Sequence, residues 1–310
     1  MNYSLPKDML ATARAYENMN RKATPRKKGK FGFEVVPLKI GEKSAGGDAI
    51  CIRWGYDLKS ESPDQFVMVV DAGDKKDGPD VVKFLKEKFK TTCVDLLVNT
   101  HNHGDHFGGI ESVLDGLDVK TWMVHCPWED PILKNLVLSL NPAILKFELR
   151  RDDDYKVKDV YDLVKKAVKT KIVRPDVGLY GETKGVRITV LGPDLDYYRK
   201  MFRKISTAQP VTEDLKDFSD KDFETLTGGE DADPINATSV VIALTLVESN
   251  NKVVLLTSDA TPEAQRMSWA NAKVLGVSLE NVRVFQVPHH GSVKNSRKDT
   301  LDAFLGRVGS

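Results

Sequence analysis

The chain is poor in cysteine and histidine, lacks any long apolar run and carries almost no net charge. Its three cysteines, Cys51, Cys93 and Cys126, are odd in number and widely spaced, which argues against a disulfide framework. Each lies in or beside a strand-like segment, so buried thiols in a reducing compartment, and hence a cytoplasmic location, are expected. The opening MNYSLPKDML does not lead from a basic segment into an apolar one, and no apolar stretch long enough for a bilayer follows. Neither a signal peptide nor a membrane span is therefore expected. Forty-six basic residues against 45 acidic ones leave a formal charge of +1, so bulk charge neither favours nor excludes a polyanionic substrate.

What is present reads as an ordinary globular composition, 41% hydrophobic and 29% charged. At 310 residues the chain is long enough to bury roughly 75% of its unfolded surface, as one large domain or two smaller ones. Residues 21–30, RKATPRKKGK, hold six positive charges; such a run either contacts phosphates or is a solvated arm. Residues 1–32 are read as a basic N-terminal extension and 33–310 as the folded unit.

Strand-like segments are expected at 33–40, 49–54, 65–70 and 94–98, with Asp71-Ala72-Gly73 turning the chain after the third. Residues 79–90 place Val81, Val82, Leu85 and Phe89 near one helical face, with Pro79 suited to the first turn. A short helix at 110–117 and a strand at 121–124 follow. The stretch 131–170 reads as largely helical, part of an insertion near 128–170. A strand at 186–191 leads to a short helix bearing Tyr197, Tyr198 and Met201. Residues 204–235 are acidic and aperiodic, a long loop. Strands return at 239–247, 252–256 and 282–287, with helices near 262–270 and 298–305. The strand–helix alternation and the hairpin-like pair within 239–256 predict mixed sheets covered by helices, an α/β or α+β layered arrangement.

Three of the chain's 6 histidines fall within Thr100-His101-Asn102-His103-Gly104-Asp105-His106, directly after a mostly apolar strand. A strand ending this way can aim several ligands into one cavity. Asp259, in Thr257-Ser258-Asp259-Ala260, also follows an apolar strand, although Thr261-Pro262-Glu263 opens a helix beyond it and allows a local capping role instead. His289 and His290, in Pro288-His289-His290-Gly291-Ser292, follow another. His125 also ends a strand, but alone, and is read as structural or as a pocket wall. Imidazoles mixed with carboxylates suit zinc, manganese or iron(II) better than calcium. If two divalent ions bind, a shared carboxylate such as Asp259 would offset their repulsion, and a water between them would yield hydroxide near neutral pH.

This constellation resembles the metallo-β-lactamase superfamily. Its His-x-His-x-Asp-His signature is matched by His101, His103, Asp105 and His106. The resemblance implies that His101 and His103 bind a first metal, that Asp105 and His106 bind a second, that Asp259 bridges the two, and that His290 completes the second site. It runs from about residue 33 to the C-terminus and implies a four-layer αββα sandwich with the metal site along one edge of two packed sheets. HNHGDHFGGI and VPHHGS, with Asn236-Ala237-Thr238-Ser239-Val240 before a strand, look like the metallo-hydrolase domain of bacterial DNA-uptake competence proteins. Two departures stand out. The usual third histidine of the first site has no counterpart; the corresponding strand end reads Val190-Leu191-Gly192-Pro193-Asp194, leaving water or His289 to complete that site. The strand structure expected after HHGS is also not evident. Either the final strand is absent or the chain belongs to a longer polypeptide, and either case leaves a sheet edge that a partner chain could cover.

The activity implied is a metal-dependent hydrolase, foremost a phosphodiesterase or nuclease acting on nucleic acid or a small phosphodiester. Asp105 and His289 are the expected catalytic residues, Asp105 orienting the second metal and His289 contacting a phosphate or stabilising developing charge. Lys294 and Lys298 are near in sequence, but solvated surface lysines are the plainer reading. The alternatives are hydrolysis of an ester, thioester, lactone or amide by the same hydroxide, and a non-catalytic regulatory or assembly protein that retained the fold.

Overall fold

The computed structural model describes residues 29–39, 47–134, 137, 157–207 and 233–305. Most of the expected basic arm, residues 138–156 of the helical insertion, residues 208–232 of the acidic loop and the last five residues lie outside them.

Two sheets form the centre. The first has six strands in the order β1 (Phe31–Pro37), β2 (Ile50–Tyr56), β3 (Asp64–Val70), β5 (Leu96–Val98), β7 (Thr121–Met123) and β8 (Lys171–Val173). The second has five, in the order β13 (Val282–Phe285), β12 (Lys252–Leu256), β11 (Val241–Leu246), β10 (Val186–Gly192) and β9 (Gly178–Thr183). A small parallel pair, β4 (Cys93–Val94) with β6 (Asp118–Val119), stands apart.

Strand alternation builds the layers. In β2, Ile50, Ile52 and Trp54 face a core shared with Met68, Val70, Leu96 and Val98, and with Ile188, Ile242, Leu244, Val254 and Leu256 of the second sheet. Cys51, Val67, Val69 and Leu97 point the other way, onto helices α1 (Gly78–Glu87), α3 (Ile110–Gly116) and α4 (Val157–Lys166) through Val81, Leu85, Ile110, Val113 and Val160. On the far side Val241, Ala243, Val253 and Leu255 pack against α5 (Leu195–Thr207), α6 (Pro262–Val274) and α7 (Lys298–Phe304) through Tyr197, Met201, Ala264, Ala272 and Phe304. The result is the expected mixed α/β fold in four layers, helix–sheet–sheet–helix. Its cause is visible in the connections: β3, β5, β7 and β8 are all parallel neighbours, and parallel neighbours need a crossover, which places helices on the outer face.

Several local expectations shift. The predicted strand 94–98 is two elements, β4 pairing with β6 and β5 with β3 and β7; Asp95 between them accepts from Val67 N at 2.7 Å and donates its own N–H to Val67 O at 2.9 Å. β8 and β9 have no counterpart among the expected strands; both are half-exposed, which weakens the hydrophobic pattern that marks a strand. The acidic loop begins later than expected, since residues 204–207 complete α5. Among the described residues no strand follows β13, an edge of the second sheet. No helix there is long and apolar enough to cross a membrane. The three cysteines are free thiols, Cys51 and Cys126 buried.

Candidate metal centre

Strand pairing brings distant parts of the sequence to one end of the two sheets. The central strand β5 ends into Asn99–His103, and His103 stands at the N-cap position, without a side-chain cap bond, of the one-turn helix α2 (Gly104–Phe107) that carries Asp105 and His106. β3 ends beside it at Asp71, and the start of β2 lies alongside because the two strands are antiparallel, Ile50 opposite Val70. From the second sheet, β12 ends at Thr257-Ser258-Asp259 and β13 delivers Gln286 and the 288–291 turn. Val240 N donates to Thr100 O at 3.1 Å and His289 N to Ser258 O at 3.0 Å, joining these loops. Asp71, Ser258, His289 and His290 all adopt left-handed backbone angles, φ 57°, 45°, 51° and 52°. Such conformations in non-glycine residues gather where packing dictates side-chain direction.

The histidines and carboxylates converge. His101 Nε2 lies 3.1 Å from His103 Nδ1 and 4.0 Å from Asp259 Oδ2. His106 Nε2 is 3.5 Å from Asp259 Oδ1, and His290 Nε2 is 3.5 Å from Asp259 Oδ2. Ligand atoms fall into two groups, each within 4.8 Å: His101, His103 and Asp259 in one; Asp48, His106, Asp259 and His290 in the other. Asp259 belongs to both. It is not a helix cap, because Thr261 Oγ1 accepts from Ala264 N and fills that role.

Asp105 falls outside both groups, although its Oδ2 is 3.6 Å from His290 Nε2 and 4.0 Å from His106 Nε2. His289 is also outside them; its Nε2 is 3.6 Å from Asp259 Oδ2 and its Nδ1 donates to Asn295 Oδ1 at 3.1 Å. Lys298 pairs with Asp302 on its own helix, away from the cleft's chemistry. His125 is a pocket wall, stacked on Tyr198 with ring centroids 4.1 Å apart and its Nε2 donating to Thr238 O at 2.9 Å. Cys126, Asp130, Arg174 and Pro193 line the same pocket. At the strand end where a third histidine would stand, Asp194 Oδ1 accepts from Tyr197 N and caps α5.

The sequence reading missed four polar residues. Asp71 holds His106 Nδ1 at 2.9 Å and accepts from Thr100 N and Oγ1 at 2.8 and 2.6 Å. Asp233 Oδ2 lies 3.6 Å from His103 Nε2. Asp48 joins the second group, and Gln286 Nε2 donates to its Oδ2 at 2.6 Å. The strand-end position of Asp71 is the one local signal; Asp48, Asp233 and Gln286 come from segments with no motif.

His101 and His106 are each oriented with Nδ1 held from behind and Nε2 facing the cleft. Thr100 Oγ1 lies 3.0 Å from His101 Nδ1, and Asp71 takes His106 Nδ1. Burial, reinforced by the neighbouring histidines, keeps His101 neutral, well below the usual imidazole range. Burial also disfavours charge on His106, but Asp259 and Asp71 outweigh it and raise its pKa well above that range. His290 is raised through Asp105 despite its burial. Burial pushes Asp105 up, but His290 and His106 outweigh it and hold the carboxyl at about 2. Asp259 is likewise lowered, its burial overcome by His106, His290 and His289. Burial raises Asp48, with His106 and His290 opposing.

The residues fit divalent ions. His106 Nε2 and Asp259 Oδ1 are buried without a hydrogen-bond partner, an arrangement costly for a protein unless something else completes it. Neutral nitrogen donors with ionised oxygens form the donor set that zinc and manganese take, and the shared Asp259 suits a pair of ions.

Comparison with known proteins agrees with this chemistry. The profile of the metallo-beta-lactamase superfamily matches residues 62–142, the span containing the His101–His106 cluster. No curated protein sequence matches the chain. Similar solved structures include a "Metallo-beta-lactamse HARLDQ motif" protein of Cronobacter sakazakii (10% identity, 84% of this chain, 79% of that one, TM-score 0.41). Its S60 mutant gives 12% identity, 84% coverage of each chain and TM-score 0.41. A metallo beta lactamase from Hirschia baltica gives 10% identity, 90% of this chain, 97% of that one and TM-score 0.37. At such TM-scores the likeness is weak, and the layering above stands on the chain's own contacts. Residues 62–142 are thus similar to the metallo-beta-lactamase superfamily, a superfamily made up largely of metal-dependent hydrolases.

Proposed function

We propose that this protein is a two-metal hydrolase of phosphodiesters, acting on nucleic acid or a small phosphodiester with zinc or manganese. The observation that carries the reading is Asp259. One buried carboxylate is common to two ligand groups, with its Oδ1 and the facing His106 Nε2 left unpaired. His101, His103 and Asp259 would hold the first ion, and His106, His290 and Asp259 the second, with Asp105 beside it. Two divalent ions held there would lower the pKa of a bound water and neutralise charge on phosphoryl oxygens.

The remaining work falls to the chain. Asp71 and Thr100 fix the ring orientations of His106 and His101. Asp105, close to both His290 and His106, orients the second site. His289, its Nδ1 engaged by Asn295, turns Nε2 toward the cleft; protonated, it would stabilise charge on the departing oxygen.

A second reading, hydrolysis of a carboxylic ester, thioester, lactone or amide, is favoured by one feature. Asp48, Asp105, Asp233 and Asp259 all border the cleft, a field that repels a phosphodiester until cations neutralise it. The deciding experiment supplies purified protein with zinc or manganese and offers bis-p-nitrophenyl phosphate, linear DNA and p-nitrophenyl esters. Metal-dependent cleavage of either phosphodiester, lost in Asp259→Ala, is the expected result. Cleavage of carboxylic esters alone would transfer the assignment to the second reading, and phosphodiester cleavage retained in Asp259→Ala would overturn the proposed centre.

A further inference from the structure

We propose that Asp48 is the side-chain ligand that closes the second metal position, and that Gln286 is the positioning residue holding it there. The inference rests on the two-metal reading above and deepens it.

Asp48 precedes β2 and reaches the cleft because antiparallel pairing sets the start of β2 beside the end of β3. Its backbone is locked on both sides: Asp48 N donates to Asp105 O at 3.1 Å, and Gly73 N donates to Asp48 O at 3.0 Å. The preceding Gly47 makes this approach feasible, since a Cβ there would stand 1.8 Å from Asp105 O. The segment is therefore built to press against the loop that carries the histidine cluster.

The side chain is also fixed. Gln286 Oε1 accepts from Thr257 N at 3.0 Å and from Ser258 N at 2.9 Å. Two N–H donors on one amide atom require that atom to be the oxygen, so the NH₂ must face Asp48. It donates to Asp48 Oδ2 at 2.6 Å, which leaves Oδ1 toward His290 Nδ1 at 3.8 Å. One glutamine thus ties an acid of the first sheet to the turn that presents Asp259 from the second.

Asp48, His106, Asp259 and His290 each offer an atom within 4.8 Å of the others. Donors about 2.2 Å from a common ion stand at most about 4.4 Å apart, so only a small closure separates this group from coordination. Asp105 is near two of these residues but is not one of the group. The independent sign of a ligand is the pair of buried, unpartnered atoms, His106 Nε2 and Asp259 Oδ1.

The test is metal binding by the full chain, stripped with chelator and titrated with Mn²⁺ or Zn²⁺, read by calorimetry and by elemental analysis after desalting. Wild type should hold two ions. Asp48→Asn, which keeps the shape and an acceptor for Gln286, should hold one, with second-ion affinity reduced more than about 100-fold. Gln286→Leu should weaken the second ion by about 10- to 100-fold and the first by less, since the Thr257–Ser258 turn it also holds presents the shared Asp259; a general loss of structure would weaken both alike. Circular dichroism of the ion-free proteins checks folding, and Gln286→Leu decides if Asp48→Asn does not fold. Two ions bound with unaltered affinity in Asp48→Asn would overturn the inference, as would loss of the second ion in Asp105→Asn alone. A wild type that binds no ion removes both the inference and the function above. Two ions without hydrolysis of any ester removes only the proposed function, and the Asp48 titration still stands.

Discussion

Asp71 Oδ2 lies 2.9 Å from His106 Nδ1, at the heart of a buried network that also binds Thr100. The contact turns His106 so that its Nε2 faces Asp259. A carboxylate behind a ligating imidazole fixes its tautomer and raises its basicity, and its loss commonly costs 10- to 100-fold in metal affinity. Asp71→Asn should therefore weaken metal binding by about that factor while the protein remains folded. Calorimetry with Zn²⁺ or Mn²⁺ checks it; an affinity equal to wild type would show that the His106 ring is held by packing alone.

Asp259 is common to both ligand groups, so its amide should damage both sites together. Asp259→Asn is expected to reduce bound metal below one ion per chain and to lower hydrolysis on the order of 10³-fold. Elemental analysis and turnover of bis-p-nitrophenyl phosphate measure the two losses. A variant that kept a full complement of ions would remove Asp259 from its bridging place.

Metal binding should tighten as pH rises. An ion needs the same lone pairs that protons occupy on His106 and His290, whose pKa values are raised. Asp105, at about 2, and Asp259 are ionised throughout the neutral range and contribute no such slope. Affinity should rise about tenfold per pH unit for each proton displaced, with proton release visible as a buffer-dependent heat. A flat profile between about pH 6 and pH 8 would contradict it. In the ion-free protein the same shift has the opposite bearing on folding. A raised histidine stabilises the fold below the unfolded pKa, and that contribution fades as pH climbs through the folded value.

His125 should act as an acid-labile point. Its folded pKa is depressed to about 4 from 6.5, through burial, partly offset by its bond to Thr238 O and reinforced by Arg174. The unfolded chain therefore binds its proton first, so stability falls as pH drops from about 6.5 toward 4, by about 3 kcal/mol at most. Urea unfolding at several pH values should show a shallower acid decline in His125→Gln than in wild type. Equal slopes would mean that the ring is readily protonated in place.

Asp233 lies 3.6 Å from His103 Nε2 and is half-exposed. Asp233→Asn should weaken the first ion only a few-fold, since a solvated carboxylate at that distance supports the ring less than a buried one. Competition with a chromophoric chelator measures it; a loss as large as that in Asp71→Asn would show that Asp233 holds the His103 ring as firmly as the buried Asp71 holds His106.

Much of this centre is legible in the order of residues. His101, His103, Asp105 and His106 are packed into one turn after a strand, and Asp259, His289 and His290 each follow an apolar strand, so local pattern suffices to single them out. The layered fold is legible for the same reason, since alternation in β2, β11 and β12 writes both faces of a sheet into the sequence. Residues whose role depends on pairing between remote strands are not legible. Asp48 and Gln286 are 238 positions apart, and neither sits in a motif.

The element types, the histidine cluster and the chemistry open to such donors all follow from the chain's own residue order, because each depends on near neighbours. Which donors share a centre follows instead from how the two sheets pair and pack. Antiparallel pairing of β2 with β3 carries Asp48 into the second ligand group, while Asp105, inside the signature itself, comes to rest just outside it. Strand pairing and sheet packing set those positions, and both act between residues too far apart in sequence for local pattern to record.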